Sequence, residues 1–88
     1  MYCVYILENK IDKKWYIGYT SNLRRRIEEH NSGKGGKTTK QGESWKLIYY
    51  EAYLNKIDAT GREIFLKSGS GHRFINKQLT HYLNLKII

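Results

Sequence analysis

The sequence predicts an α+β (mixed α/β) domain, in which a small three-stranded antiparallel sheet is flanked by helices in the order β-β-α-β-α-α. Runs of aromatic and β-branched residues, which favour strands, lie near residues 2–8, 15–19 and 45–54. Segments with apolar residues three or four positions apart, which favour helices, follow the second and third runs. Because the chain has 88 residues, we expect one domain over residues 1–88.

The first two strands are predicted to pair antiparallel. The polar residues 9–14 separate the runs YCVYILE and WYIGY, and they suit a hairpin connection. The third run, WKLIYYEAYL, is apolar on both of its alternating faces. Since a strand that is covered on both faces has this pattern, we expect the third strand to be central in the sheet.

The first helix is predicted to follow the second strand directly. The hydroxyl of Thr20 or Ser21 can accept a hydrogen bond from the free N–H groups of a first helical turn. Leu23 and Ile27 are four residues apart, so they are expected to face the core. Gly33 suits the end of this helix.

Two more helices are predicted after the third strand. Asn55 can cap the first of them, which is expected at residues 56–68. Its apolar side chains fall on two faces that we expect to be buried, namely Ile57 and Ile64 on one face, and Ala59 and Leu66 on the other. Gly69 and Gly71 are expected to break this helix before a last helix at residues 72–83, and the alternating tail LNLKII suits either a short strand or a frayed end.

The charge of the chain favours a polyanionic partner. Sixteen lysine and arginine residues oppose eight aspartate and glutamate residues, which gives a net charge of +8. Nucleic acid is the first expectation, although a basic surface can also serve solubility alone. No basic amphipathic helix with a wide apolar face and no long apolar run indicates a membrane partner. A single cysteine, Cys3, and the lack of a signal-peptide pattern suggest a cytoplasmic protein.

The basic helix divides into two groups of charges. Arg26 and His30 are four residues apart on one helical face, beside the inward stripe. Arginine offers a planar fork for a phosphate, and histidine can shuttle a proton near neutral pH. Arg24 and Arg25 point further outward, where Glu28 and Glu29 can pair with them. For these two arginines a solvated helix with ion pairs is the alternative to nucleic-acid binding.

Two tyrosines on adjacent strands form a second candidate group. Tyr5 and Tyr16 are spaced so that both rings can project from the same face of the sheet. A phenol can act as a general base only if nearby cations or a metal depress its pKa from about 10. The alternative is a cross-strand aromatic pair that packs the sheet.

One carboxylate of the second predicted helix is a candidate metal ligand. Glu63 lies away from the face of Ile57 and Ile64. A single carboxylate can hold Mg²⁺ when phosphate oxygens and water complete the coordination. The alternative is a surface glutamate paired with Arg62 or Lys67.

Together these residues form a constellation that resembles the GIY-YIG nuclease superfamily over nearly the whole chain. Cys3-Val4-Tyr5 stands where that family has its first triplet, with Cys3 in place of the usual glycine, and Tyr16-Ile17-Gly18 reproduces the second triplet. Arg26, His30 and Glu63 match further family positions. The chain is most similar to the small stand-alone members, which are related to structure-specific and excision-repair nucleases.

The resemblance implies a DNA endonuclease that depends on a divalent cation, Mg²⁺ or Mn²⁺. Glu63 would hold the metal, Arg26 would bind the non-bridging phosphate oxygens, Tyr16 or Tyr5 would deprotonate water, and His30 would accept or relay a proton. Further DNA contacts are implied for a smaller set of residues, namely Lys34, Lys37 and Lys40 of the basic loop, and Asn76. A non-catalytic nucleic-acid-binding module, or a protein whose partner supplies the substrate specificity, remains the alternative.

Overall fold

The computed structural model describes residues 1–32 and 44–85. Seven elements follow one another along the chain: β1 (Tyr2–Asn9), β2 (Trp15–Thr20), α1 (Leu23–Asn31), β3 (Trp45–Tyr53), α2 (Lys56–Lys67), α3 (Gly69–Gln78) and α4 (Thr80–Leu85). The predicted α+β class and the three-stranded antiparallel sheet are confirmed. Gly33, the predicted basic loop with lysines 34, 37 and 40, and tail residues 86–88 lie outside the described residues.

The central strand is β1, so the expectation that the third strand is central was wrong. The strand order is β2-β1-β3, and both pairings are antiparallel. Residues 4–9 of β1 are all buried, whereas Trp45 is the only buried residue of β3. The tyrosines that made β3 look doubly apolar are only partly buried or exposed there, because a phenol can pack its ring and keep its hydroxyl near the surface.

The sheet separates two hydrophobic clusters. On one face, α2 and α3 cover a cluster made of Val4, Ile6, Ile17, Ala59, Leu66 and Ile75. On the other face, α1 covers Tyr5, Leu7 and Trp45, and the inward residues Leu23 and Ile27 pack against them as predicted. Neighbouring residues of a strand point to opposite faces. The odd-numbered Tyr5 and Leu7 therefore belong to the α1 side.

The cap of α1 is Asn22, so the prediction of Thr20 or Ser21 was wrong by one or two residues. The Asn22 side chain accepts a hydrogen bond from the backbone N–H of Arg25 at 3.1 Å. The Thr20 hydroxyl instead accepts from the backbone N–H of Asn22 at 3.1 Å, which fixes the turn before the helix. The shift arises because three neighbouring residues all have capping side chains and the turn selects among them.

Helix α2 has one buried face rather than the two that were predicted. Asn55 caps it as expected, and Ala59 and Leu66 are buried. Ile57 and Ile64, however, are 79% and 72% exposed. The reason is that α2 lies on the outside of a sheet of only three strands, which can cover one side of the helix and leaves the other open.

The two C-terminal helices replace the single helix that was predicted at residues 72–83. Ser68 caps α3, so Gly69 and Gly71 lie in its first turn rather than forming a break, and Leu79 ends it. The hydroxyl of Thr80, at the start of α4, donates to carbonyl groups at the end of α3. Leu83–Leu85 are helical, so the first half of the tail is not a strand. Within the described parts of the chain, no helix is long and apolar enough to cross a membrane.

Candidate active site

Tyr5 reaches the α1 side of the sheet by crossing over Gly18 of β2. The two residues are partners in the β1–β2 ladder. A Cβ atom at Gly18 would lie 2.7 Å from Tyr5 Oη and 2.9 Å from Cζ, which is closer than real Cβ atoms approach. This position therefore requires glycine, because a Cβ atom would overlap the Tyr5 phenol.

The Tyr5 hydroxyl joins the two residues that helical spacing placed together. Its oxygen lies 3.1 Å from His30 Nε2, and Arg26 Nε donates to it at 3.4 Å. Since the oxygen accepts from Arg26, its own proton can point to His30 Nε2 when the imidazole is neutral. Tyr5, Arg26 and His30 thus form one hydrogen-bonded chain between the sheet and α1.

His30 is fully buried and is held in its neutral form. Burial lowers the pKa of the imidazole below its usual value, and the positive charge of Arg26 lowers it further against a smaller opposing effect of Glu29. Nδ1 has no hydrogen-bond partner within residues 1–32 and 44–85. Inside the protein an unpaired ring nitrogen is costly, and a charged one more so.

We expect His30 to make the protein less stable in acid. The unfolded chain binds a proton at His30 below about pH 6.5, while the folded protein, with its lowered pKa, resists that proton. The stabilising contribution is therefore present above pH 6.5 and is lost as the pH falls toward 5. Thermal unfolding midpoints at pH 7 and pH 5 measure this loss. It should shrink in His30→Gln but not in His72→Gln, whose side chain is exposed; equal pH dependence in all three proteins would contradict this account.

Tyr16 lies on the same face as Tyr5, as predicted. The two rings are stacked with centroids 6.3 Å apart, and Tyr16 meets the His30 ring edge-on at 4.5 Å. The tyrosines differ in exposure, because Tyr5 is 1% exposed whereas Tyr16 is partly exposed. Burial raises the pKa of Tyr5, although its hydrogen bond with Arg26 acts in the opposite direction. The Tyr5 hydroxyl is therefore protonated near neutral pH, and the side chain is shielded from solvent.

Arg26 pairs with Glu29, which was predicted to pair with Arg25. Its Nη1 donates to Glu29 Oε1 at 3.1 Å, while Arg25, the predicted partner of Glu29, is 3.9 Å from the same carboxylate. The hydrogen bond with Tyr5 raises the pKa of Arg26, and bonds with Glu29 and Tyr16 act in the same direction. The guanidinium is thus permanently charged and fixed in direction beside Tyr16.

Two residues that the sequence analysis did not single out for the site form its rear wall. Trp45 is buried against the Tyr16 and His30 rings, with centroids 6.3 Å and 6.4 Å away. Asn31 ties the end of α1 to this residue: its Oδ1 accepts from Trp45 N–H at 2.7 Å, and its Nδ2 donates to the Trp45 carbonyl at 3.3 Å. No local pattern marks Asn31, since the bond joins residues 14 positions apart.

Glu63 lies on α2, the helix that covers the opposite face of the sheet from Tyr5 and α1. Its carboxylate is 20% exposed and pairs with Lys67 at 3.2 Å. Arg62, the other predicted partner, binds Glu51 instead, at 2.9 and 3.1 Å. Burial is the main cause of the raised pKa of Tyr5, and the negative charge of Glu63 makes a smaller contribution in the same direction.

The remaining predicted residues lie away from this cluster or outside the described parts. Arg24 and Arg25 are exposed on α1. Asn76 is exposed on α3, and its side chain donates to the backbone carbonyl of His72 at 2.8 Å. The structure therefore brings together Tyr5, Tyr16, Arg26 and His30, whereas Glu63 lies on the helix that covers the other face of the sheet.

One family of known proteins matches most of the chain. The family model described as the GIY-YIG catalytic domain matches residues 1–77. The chain belongs to the GIY-YIG family.

Several bacterial relatives of this GIY-YIG chain are small proteins named UPF0213. One from Clostridium perfringens is 45% identical over 64 residues, which cover 73% of this chain and 68% of the relative. One from Pediococcus pentosaceus is 40% identical over 78 residues, which cover 85% of this chain and 82% of the relative. The match with a Streptococcus pneumoniae relative, 45% identical over 73% of this chain, spans 64% of the relative, slightly less than two thirds of its length.

A solved structure supports the fold of this GIY-YIG chain. The solution NMR structure of a UPF0213 protein from Bacillus halodurans matches with a TM-score of 0.55 and 37% sequence identity. The match covers 89% of this chain and 85% of that protein.

The family implies a divalent metal, since GIY-YIG nucleases generally depend on one. Within residues 1–32 and 44–85, no group of three or more histidine, cysteine, aspartate or glutamate side chains could form a closed metal cage. Glu63 nevertheless fits a hard cation. Mg²⁺ keeps several waters and needs only one or two carboxylates plus phosphate oxygens, and the Lys67 side chain that pairs with Glu63 is 56% exposed and can move aside.

Proposed function

We propose that this protein is an endonuclease that hydrolyses phosphodiester bonds of DNA with the help of a divalent cation, and that it selects DNA structure rather than sequence. The observation that carries the proposal is the hydrogen-bonded chain of Tyr5, Arg26 and His30 beneath the partly exposed Tyr16. A packing cluster would not require a fixed guanidinium beside two phenols. A site that binds a phosphate and activates water can use such an arrangement.

Arg26 is proposed to bind the non-bridging oxygens of the scissile phosphate. Its Nε and Nη1 are already engaged with Tyr5 and Glu29, so the plane of the guanidinium is set before substrate binds. A donor that is aimed in advance at developing negative charge does not have to reorganise during the reaction. The phosphate would compete with the carboxylate of Glu29 for this guanidinium.

Tyr16 is proposed to orient the attacking water and to accept its proton. Of the two tyrosines only Tyr16 is partly exposed, whereas the Tyr5 hydroxyl is enclosed between His30 and Arg26. The Arg26 guanidinium next to Tyr16 would stabilise negative charge on the phenol oxygen. In this assignment Tyr5 holds Arg26 in place, and neutral His30 accepts the Tyr5 hydrogen bond.

Glu63 is proposed to hold Mg²⁺ or Mn²⁺. A cation bound there would neutralise charge on the oxygen that leaves the phosphorus. One carboxylate also argues for a single-metal mechanism rather than a two-metal one, which needs a larger set of ligands. The net charge of +8 supplies non-specific attraction for the DNA backbone, and a chain of 88 residues offers little surface for reading bases.

The test is a cleavage assay with Mg²⁺ or Mn²⁺ on a panel of flap, branched, single-stranded and duplex DNA. We expect cleavage that disappears in EDTA and in Glu63→Gln, and that survives in Glu28→Gln, a matched change at an exposed glutamate of α1. Salt-sensitive binding without cleavage of any substrate would contradict the nuclease proposal and favour a non-catalytic DNA-binding module. Cleavage by Glu63→Gln would contradict the proposed metal site.

Substitutions at the two tyrosines are expected to lower the cleavage rate by different amounts in the same assay. Tyr16→Phe removes the group that accepts the proton, so the cleavage rate should fall by about 10²–10⁴-fold. Tyr5→Phe keeps the ring over Gly18 and removes only the bonds to Arg26 and His30, so we expect a smaller fall of about tenfold. A larger loss in Tyr5→Phe than in Tyr16→Phe would reverse the assignment.

A further inference from the structure

A recess lies beside the proposed active site and shares Tyr16 with it. It has a volume of about 300 Å³ and is lined by Trp15, Tyr16, Ile17, Lys67 and His72. Trp15 and Ile17 point to one face of the sheet and Tyr16 to the other, so the recess lies along the outer edge of β2. Tyr16 lines the recess and also contacts the His30 ring of the proposed active site.

Two aromatic rings form one wall of this recess. The rings of Trp15 and His72 are 5.5 Å apart at an angle of 39°, and His72 is exposed. Rings this close leave no space for a base between them, but together they offer one continuous aromatic surface. Such surfaces bind unpaired bases by stacking, independently of sequence.

A buried carboxylate fixes the orientation of the indole. Trp15 Nε1 donates to Glu8 Oε2 at 3.1 Å, and Tyr82 Oη donates to the other oxygen of Glu8 at 2.8 Å. Glu8 is 2% exposed on the central strand. A carboxylate at such a position is costly and is kept only where several hydrogen bonds satisfy it. Its effect is to hold the polar edge of Trp15 inward, while the ring borders the recess.

Positive charge lies at the side of the recess that faces the proposed metal ligand. Lys67 is 56% exposed and pairs with Glu63 at 3.2 Å. A nucleotide beside the scissile phosphate would therefore meet an aromatic surface for its base and an ammonium group for its backbone. The volume of about 300 Å³ is at the lower end for small-ligand sites, which suits one planar ring system rather than a base pair.

We propose that this recess binds a single unpaired nucleobase next to the phosphate that is cleaved, with Trp15 as the main stacking residue. The inference rests on the proposed function and adds a substrate class to it: DNA in which the nucleotide at the cleavage point is unpaired or turned out of the helix. Trp15 and His72 are specificity residues in this proposal, and they do not touch the reacting atoms.

The test measures binding in EDTA, so that it does not depend on cleavage. Labelled duplexes carry one unpaired thymidine, or an abasic nucleotide at the same position, and fluorescence anisotropy gives both dissociation constants. We expect wild-type protein to bind the thymidine duplex about tenfold more tightly, as one stacked base allows. The difference should vanish in Trp15→Ala, remain mostly intact in Trp15→Phe, and fall to about threefold in His72→Ala, a change at an exposed side chain that the fold should tolerate.

The outcomes separate the two proposals. Equal binding of both duplexes by wild-type protein, or a tenfold difference that persists in folded Trp15→Ala and in His72→Ala, overturns the recess as a base site. Base-dependent binding that needs Trp15, together with no cleavage in Mg²⁺, supports the recess and overturns the nuclease. Cleavage that is indifferent to the abasic substitution leaves the nuclease standing and overturns the proposed substrate class.

Discussion

Replacing Arg26 by lysine is expected to lower the rate of DNA cleavage by about 10²–10³-fold, the usual cost of losing one aimed donor to a developing charge. Lysine keeps the positive charge but loses the planar fork. In the structure that fork bonds Tyr5 through Nε and Glu29 through Nη1. An ammonium group can take over only part of this arrangement, so it would not be fixed toward the phosphate.

The matched control is Arg25→Lys, one residue earlier on the same helix, where the side chain is 68% exposed. Because this change keeps the positive charge, we expect it to leave both kcat and the salt dependence of binding nearly unaltered. Thermal unfolding of both variants checks that α1 is still folded. A kcat of Arg26→Lys that stays near the wild-type value would mean that Arg26 contributes only general charge, which would remove it from the proposed catalytic residues.

The second large effect is expected at Gly71, where alanine should destabilise the fold by about 3 kcal/mol or more. A Cβ atom there would lie 2.0 Å from the carbonyl oxygen of Phe65 and 2.5 Å from Leu66 Cα. Both are backbone atoms of α2, so no side-chain rotation can relieve the overlap. The helices α2 and α3 would have to move apart, which opens the core around Leu66 and Ile75.

Gly61→Ala, in the same pair of helices, is expected to stabilise the fold. No atom lies within 4 Å of the position that a Cβ would take at Gly61 in α2. Because alanine favours helices over glycine, this variant should gain about 0.5–1 kcal/mol. Urea unfolding of the two variants measures both changes. A loss below 1 kcal/mol at Gly71 would show that the helix contact is looser than the structure indicates.

Local spacing was enough to locate most of the candidate site. The interval between Arg26 and His30 is one helical turn, and the alternation of strands puts Tyr5 and Tyr16 on one face. These relations depend only on the geometry of a single helix and a single hairpin, so they can be read along the chain. The sequence pattern paired Glu29 with Arg25, although Arg25 and Arg26 both lie within about one helical turn of Glu29. Only the packing of α1 on the sheet makes Arg26 the nearer partner.

Three features of the site depend on contacts between distant segments. Asn31 binds Trp45 across 14 positions, and Glu8 binds Tyr82 across 74. The exposure that distinguishes Tyr16 from Tyr5 results from the direction in which the Tyr5 ring crosses Gly18. No periodic spacing along the sequence indicates any of these contacts.

By itself, the sequence determined the α+β class, the hairpin, the cap at Asn55 and the placement of Tyr5 and Tyr16 on one face of the sheet, because each of these follows from local periodicity or short-range spacing. The tertiary structure decided that β1 is central, that only one face of α2 is buried, and that Gly71 permits a helix contact instead of breaking a helix. The physical reason is that burial depends on which elements lie opposite a residue. An apolar pattern shows that a face can be covered, and only the packed neighbours determine whether it is.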